Sequence, residues 1–204
     1  MKKSRVETAQ TRKRIVQAAA QAFRSNGIHA TGVAEIMSAA GLTHGAFYRH
    51  FASKEHLVAE ACAAGMASTR DAIDASVKNG EQAFLDHFEA HLLDKSAEAC
   101  LGECPLIAMG SELARADKET RHAATRGYRE LIKTMAANGA SDEGAAMFVF
   151  SAILGAVTVS RIVDDPDLAA RILAEAKQRI ATLWSNACER DTTVQQGIAE
   201  LENH

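Results

Sequence analysis

Proline is nearly absent: 204 residues contain two, Pro105 and Pro166. A chain that seldom breaks its own helical hydrogen bonding, and is rich in Ala, Leu, Glu, Lys and Arg, is expected to be all-α. Catalytic motifs are missing too. There is no glycine-rich phosphate loop, no serine nucleophile elbow and no HExxH pair, so an enzyme is not expected. The N-terminal stretch is basic and polar with no apolar centre, and no secretory leader is expected. No apolar run is expected to reach the ~18 residues of a membrane span. The four cysteines, Cys62, Cys100, Cys104 and Cys188, are expected to be reduced in a cytoplasmic protein. The expectation these exclusions leave is a cytoplasmic protein that acts by binding, without cofactor, metal or membrane.

What is present is ample for a core, since 47% of residues are hydrophobic. The net charge of −3 argues against a nucleic-acid partner until its distribution is read. Residues 1–56 hold nine Lys/Arg against three Asp/Glu, a net of +6, and residues 57–204 carry the compensating −9. A basic module on an acidic body is a local footprint for phosphate, and it orients the body away from the polyanion. The expected division is therefore a DNA-binding domain at 1–56, a helical ligand-binding and dimerisation domain at 57–187, and a polar tail at 188–204.

The organising stretch is TGVAEIMSAAGLTHGAFYRHFASK, residues 31–54. Val33, Ile36, Met37 and Ala40 give one apolar helix face. Gly41 ends that helix in a left-handed position, Leu42 follows as a buried turn residue, and Thr43 caps a second helix over 44–51. Phe47 and Phe51 anchor the second helix inward. Helix, glycine turn, and a helix with a polar outer face form a helix-turn-helix. A helix over 8–25 precedes it, with Arg12, Lys13 and Arg14 near its start, an unfavourable place on the dipole unless a phosphate sits beside them. A long helix capped by Ser53 follows, ending at Asn79-Gly80. Further helices are expected over 81–95, 105–114, 118–137, from Ser141 or Asp142 to 163, and from Pro166 behind an Asp165 cap. That makes about nine helices, the last ones a bundle.

The segment GLTHGAFYRHFASKEHL resembles the signature of the tetracycline-repressor (TetR) family, in which a Gly-apolar-Ser/Thr turn leads to a helix ending in Tyr-x-His-Phe, then Ser-Lys. The likeness covers about Thr11 to Ala61. It implies a ligand-responsive transcriptional regulator that binds double-stranded operator DNA as a homodimer, a repressor released by a small-molecule effector. The first turn of the second helix enters the major groove in this motif. Thr43 and His44 are then the base readers, Gly45 allows close approach, and the Ala46 methyl can meet a thymine methyl. The resemblance implies that Thr31, Tyr48, His50 and Lys54 hold phosphates, while Arg49 can reach a guanine edge or a phosphate. His44 stands where Lys/Arg is common and Ala46 where Ser/Thr is common, which leaves the operator sequence open.

Beyond the module the residues are less specific. Met66, Phe84, Phe88, Met109, Leu113, Tyr128 and Phe148 are core residues at helical spacing, some of which can line an effector cavity. Cys100 and Cys104 read as buried thiols, or alternatively as a redox or electrophile sensor. A zinc set with His87 and His91 is the weaker alternative. The run AAMFVFSAILGAVTVS is apolar nearly all round, so a second subunit is expected to cover part of it. Phe148, Ala152, Gly155, Ala156, Val159 and Trp184 form the expected interface, with Ile153 adding apolar area. The reading from another class is a helical carrier or enzyme with a vestigial DNA module.

Overall fold

The computed structural model describes residues 5–80, 82–84, 86, 104–138 and 142–183. The expected helix over 81–95 falls mostly outside them, as do His87, Phe88, His91, Cys100, Trp184 and the tail. The described residues are all-α, with no strand among them. Their elements are α1 (Arg5–Asn26), α2 (Val33–Ala39), a 3-10 helix (His44–Arg49), α3 (Lys54–Lys78), α4 (Pro105–Leu113), α5 (Lys118–Asn138), α6 (Glu143–Ile162) and α7 (166–183). Residues 82–84 and 86 are helical as well.

The helix ends follow local chemistry. Asn26 closes α1, and Gly27 turns the chain at φ +85°. Gly41 ends α2 at φ +69°, with Leu42 N–H donating to the Met37 carbonyl (2.8 Å) and Gly41 N–H to that of Ser38 (2.9 Å). This pair of bonds is a Schellman motif, which satisfies carbonyls the helix leaves orphaned. Ser53 Oγ accepts from His56 N–H at 3.2 Å, Asp142 Oδ1 from Ala145 N–H at 2.8 Å, and Asp165 Oδ1 from Asp167 and Leu168 N–H. Asp117 caps α5 through the Glu119 and Thr120 amides and the Thr120 hydroxyl. The bonds from Thr120 lead those that outweigh burial and hold the Asp117 carboxyl below the usual range.

Two compact units result. The first comprises Met1–Thr69 and Gly102–Tyr128, and the second Arg70–Leu101 and Arg129–His204. Compactness thus divides the chain elsewhere than the functional boundary expected at 56/57, because residues 102–128 belong with the N-terminal module. The first unit's core holds Ile15, Phe23, Ile36, Met37, Phe47, Phe51, Leu57, Met66 and Met109. The second buries Ile73, Phe84, Leu131, Met135, Val149, Phe150 and Ile153.

Helix α6 corrects two expectations. An 18-residue window of this 20-residue helix has a mean hydropathy of 1.8, so the helix is by length and composition apolar enough to cross a membrane, contrary to the expectation that no run reaches that length. Its outward residues are not uniformly apolar, however. Phe148, Val159 and Ile162 are exposed, with Ala152 half-buried and Gly155 exposed between them. These five positions recur at helical spacing and form one stripe rather than a band around the helix. Ile153 and Ala156 point the other way and are buried within the protomer, so Ile153 does not offer the expected apolar area and Ala156 does not lie on the face where a second helix was expected to approach.

Candidate nucleic-acid interface

The 3-10 helix His44–Arg49 carries the expected recognition residues. It is shorter than the expected span and wound tighter. Thr43 is extended (φ −79°, ψ 149°) but its side chain caps nothing, which corrects the expected cap. Without that cap the first turn closes by an i to i+3 bond, Ala46 N–H to the Thr43 carbonyl at 3.0 Å. Leu42 is half-buried rather than buried.

Two aromatics hold this short element. Phe47 and Phe51 are buried and their rings stack at 5.7 Å. Tyr48 packs its ring edge-on to Phe47 at 5.2 Å yet stays 71% exposed. Thr43, His44, Gly45 and Arg49 are exposed beside it, and Ala46 and His50 are half-buried. The structure therefore brings together on one short segment seven of the nine DNA-contact residues expected from sequence.

The other two have additional duties. Thr31 is fully buried, and its hydroxyl bonds the carbonyls of Gly27 (2.7 Å) and Ala22 (3.2 Å). Its side chain shapes the turn after α1 and is not offered to a phosphate, which corrects that expectation. Lys54 donates from Nζ to the Ile28 carbonyl at 2.6 Å. An ammonium has three donors, so this bond leaves capacity for a phosphate.

Arg12 also departs from expectation. Because α1 begins at Arg5, Arg12 lies well inside the helix and not at its dipole end. It pairs with Glu60, donates to the His50 carbonyl and stacks 4.2 Å from the Phe51 ring centroid. His56 Nε2 lies 3.2 Å from the same Glu60 carboxylate. Arg12 thus ties α1 to α3 around the recognition segment, while Lys13 and Arg14 remain exposed.

Sequence reasoning missed a second feature of this unit. A cleft of about 230 Å³ is lined by Ile28, His29, Lys54, Glu55, Val58, Glu112, Arg115, Ala116 and Asp117. Across it the Glu112 carboxylate accepts from Ile28 N–H (3.0 Å), His29 N–H (2.9 Å) and the His29 ring at Nδ1 (2.8 Å). Burial raises the Glu112 pKa, but these bonds outweigh it and hold the carboxyl below the usual range. Nothing in the sequence signals a contact between residues 84 positions apart.

Of the expected effector residues, Met66, Met109 and Leu113 are buried and Tyr128 half-buried in the first unit. Phe84 is buried in the second unit. Phe148 is 61% exposed, so it belongs to the surface stripe of α6 and not to a cavity lining. No group of three potential metal ligands occurs among the described residues. Cys104 is buried, as is Cys62, whose thiol burial pushes up to about 11, with Cys104 adding to the effect. The folded protein is accordingly expected to resist alkylation of Cys62 at pH 8. Its thiolate fraction there is about a hundredfold or more below that of an ordinary cysteine with pKa ~8.5. Mass spectrometry after timed iodoacetamide treatment reads this, and labelling of Cys62 as fast as in urea would contradict the burial.

Residues 15–61 match the family model described as bacterial regulatory proteins, tetR family. A solved TetR transcriptional regulator from Chloroflexus aurantiacus is similar at 26% identity and TM-score 0.64, over 86% of this chain and 94% of that one. Residues 15–61 are thus a TetR-family segment. Among curated relatives it is 40% identical over 58 residues to the HTH-type transcriptional regulator TtgR of Pseudomonas putida. The match spans 28% of each chain, so it bears on the DNA module alone. The reduced form of Escherichia coli NemR shares the fold at TM-score 0.69 and 18% identity, over 85% of this chain and 96% of that one. The TetR-family model covers the recognition segment and the Schellman turn, and it stops before Glu112.

Proposed function

We propose that this chain is a TetR-family DNA-binding transcriptional regulator, a cytoplasmic repressor that binds a palindromic operator as a homodimer. The observation that carries this reading is the exposed row Thr43, His44, Gly45, Tyr48 and Arg49 on a short helix anchored by buried Phe47 and Phe51. In a helix-turn-helix such a row meets base edges and backbone in the major groove. On this reading residues 1–56 bind DNA and residues 57–187 bind effector and partner. The effector is a mainly apolar small molecule held near Met66, Met109, Leu113 and Tyr128, which are apolar or amphipathic and mostly buried. Stearoyl-CoA is bound in the structurally similar FadR of Bacillus subtilis, which is in keeping with a bundle that can take an apolar ligand.

Fluorescence anisotropy with a duplex from the region upstream of the protein's own coding sequence tests the reading. Specific binding is expected at a Kd of about 10⁻⁸–10⁻¹¹ M near physiological salt. Tyr48→Ala is expected to weaken binding to every sequence, by about tenfold, because a phosphate contact carries no sequence information. His44→Ala is expected to change the preferred sequence instead, by ~1–3 kcal/mol at the base pair it reads. A wild-type protein with no preference for any upstream duplex would overturn the proposal in favour of a carrier or enzyme.

A further inference from the structure

The turn between α1 and α2 is gripped from two sides. Ile28 N–H is bonded by Glu112 and Ile28 C=O by Lys54. The Glu112 carboxylate also takes both donors of His29, so the last turn of α4 holds two consecutive residues of this turn. Gly27 leaves the room for it: a Cβ there would lie 3.1 Å from Glu112 Oε2, on a backbone already left-handed. Such a turn conformation, with successive N–H groups facing one carboxylate, is an anion-binding concavity. Here it is filled by the protein's own side chain.

Stability alone does not call for this clasp. Ile28 is half-buried and the His29 side chain is 83% exposed. Water can therefore satisfy the His29 amide when Glu112 is absent. What the clasp fixes is direction. The held turn runs into buried Thr31 and α2, and the Schellman turn of α2 delivers the recognition segment. Its other grip, Lys54, is an expected phosphate contact. Three residues before Glu112, Met109 departs from helical geometry (φ −131°, ψ 19°), so α4 bends just ahead of the turn that carries the clasp.

We propose that Glu112 is a positioning residue for operator recognition, whose carboxylate sets the angle at which α2 and the recognition segment meet DNA. This deepens the reading of the chain as a DNA-binding regulator and rests on it. Glu112 touches no base and no phosphate in this role. It makes the conformation of α4 a determinant of sequence discrimination.

The test uses a sign that simple electrostatics opposes. Glu112→Gln removes one negative charge, which by itself favours binding to a polyanion. It also presents an amide N–H₂ to one of the two backbone donors, so the clasp opens. Affinity for the upstream duplex and for an unrelated duplex of equal length is measured in the full-length protein, with the melting temperature recorded alongside. The expected result is a fall of about fivefold or more in specific affinity, with binding to the unrelated duplex equal or tighter and the fold intact. Glu112→Asp keeps the charge but shortens the reach, so it is expected to lose specificity in the same way, and it carries the test should the glutamine variant fail to fold. An unchanged ratio of specific to non-specific affinity in folded variants overturns the proposal. So does a proportional loss of both affinities. Wild type lacking any preference overturns the underlying regulator reading instead, so the two failures are distinguishable.

Discussion

Gly155→Arg is expected to turn a dimer into monomers and to lower operator affinity by about 10²–10⁴, the effective-concentration gain that a second linked half-site supplies. The stripe on α6 is the reason. Phe148 and Ile162 are 61% and 74% exposed, far more than apolar residues of this size tolerate in a continuous row without a partner. Ala152 and Gly155 between them let a second helix approach closely. A two-fold contact of this kind needs about 1,000 Å² or more to be stable, and it places the same residues on both sides. A Cβ on Gly155 meets none of the described residues of the protomer within 4 Å, so the arginine is expected to disturb chiefly what packs against that surface. Light scattering and anisotropy on the same sample provide the check. A dimer of unchanged affinity would remove α6 from the interface.

The second large effect is expected at Gly127. A Cβ at this position would lie 2.5 Å from Met66 Cβ and 2.8 Å from its Cγ, so α3 and α5 touch nearly backbone to backbone there. Met66 Cβ is fixed to the main chain, and only separation of the two helices relieves the clash. Gly127→Leu is therefore expected to destabilise by ~3 kcal/mol or more, even though leucine is the better helix former by nearly 1 kcal/mol. For a chain of this length that is a fall in Tm of about 6–12 °C. Gly110→Ala is the internal control. Its added methyl meets none of the described residues within 4 Å, so helix propensity dominates and Tm is expected to rise by a few degrees. Calorimetry of the two variants showing the same sign would contradict the close approach.

The parts of this fold legible in the sequence are those decided within a few residues. Gly41 ends a helix, Ser53, Asp142 and Asp165 begin them, and Pro105 opens α4, because caps depend on neighbours along the chain. The recognition row is legible for the same reason, since the Phe47 and Phe51 anchors and the residues between them share one short segment. What escapes depends on partners far away in sequence. Arg12 reads as available to a phosphate because Glu60 is 48 positions distant, and nothing singles out Glu112 because its partners lie 84 and 83 positions away. A threonine before a helix, such as Thr31, suits either a phosphate or a turn, and only the carbonyls of Ala22 and Gly27 decide between them. Phe148 reads both as pocket and as interface, since an all-apolar helix does not declare its faces until its neighbours are in place.

The tight winding of the recognition segment changes which side chains are neighbours. In a 3-10 helix residues three apart stack in columns about 120° from one another, whereas an α-helix advances about 100° per residue. Gly45 therefore sits under Tyr48 and Ala46 under Arg49. A bulkier residue at 46 would push first on the Arg49 guanidinium, and one at 45 on the Tyr48 ring. From His44 to Arg49 the two windings differ by about 100° in all, so rewinding the segment would swing Arg49 roughly a quarter-turn relative to His44. The set of bases these two residues can read together is thus a property of the helix pitch as much as of the side chains themselves.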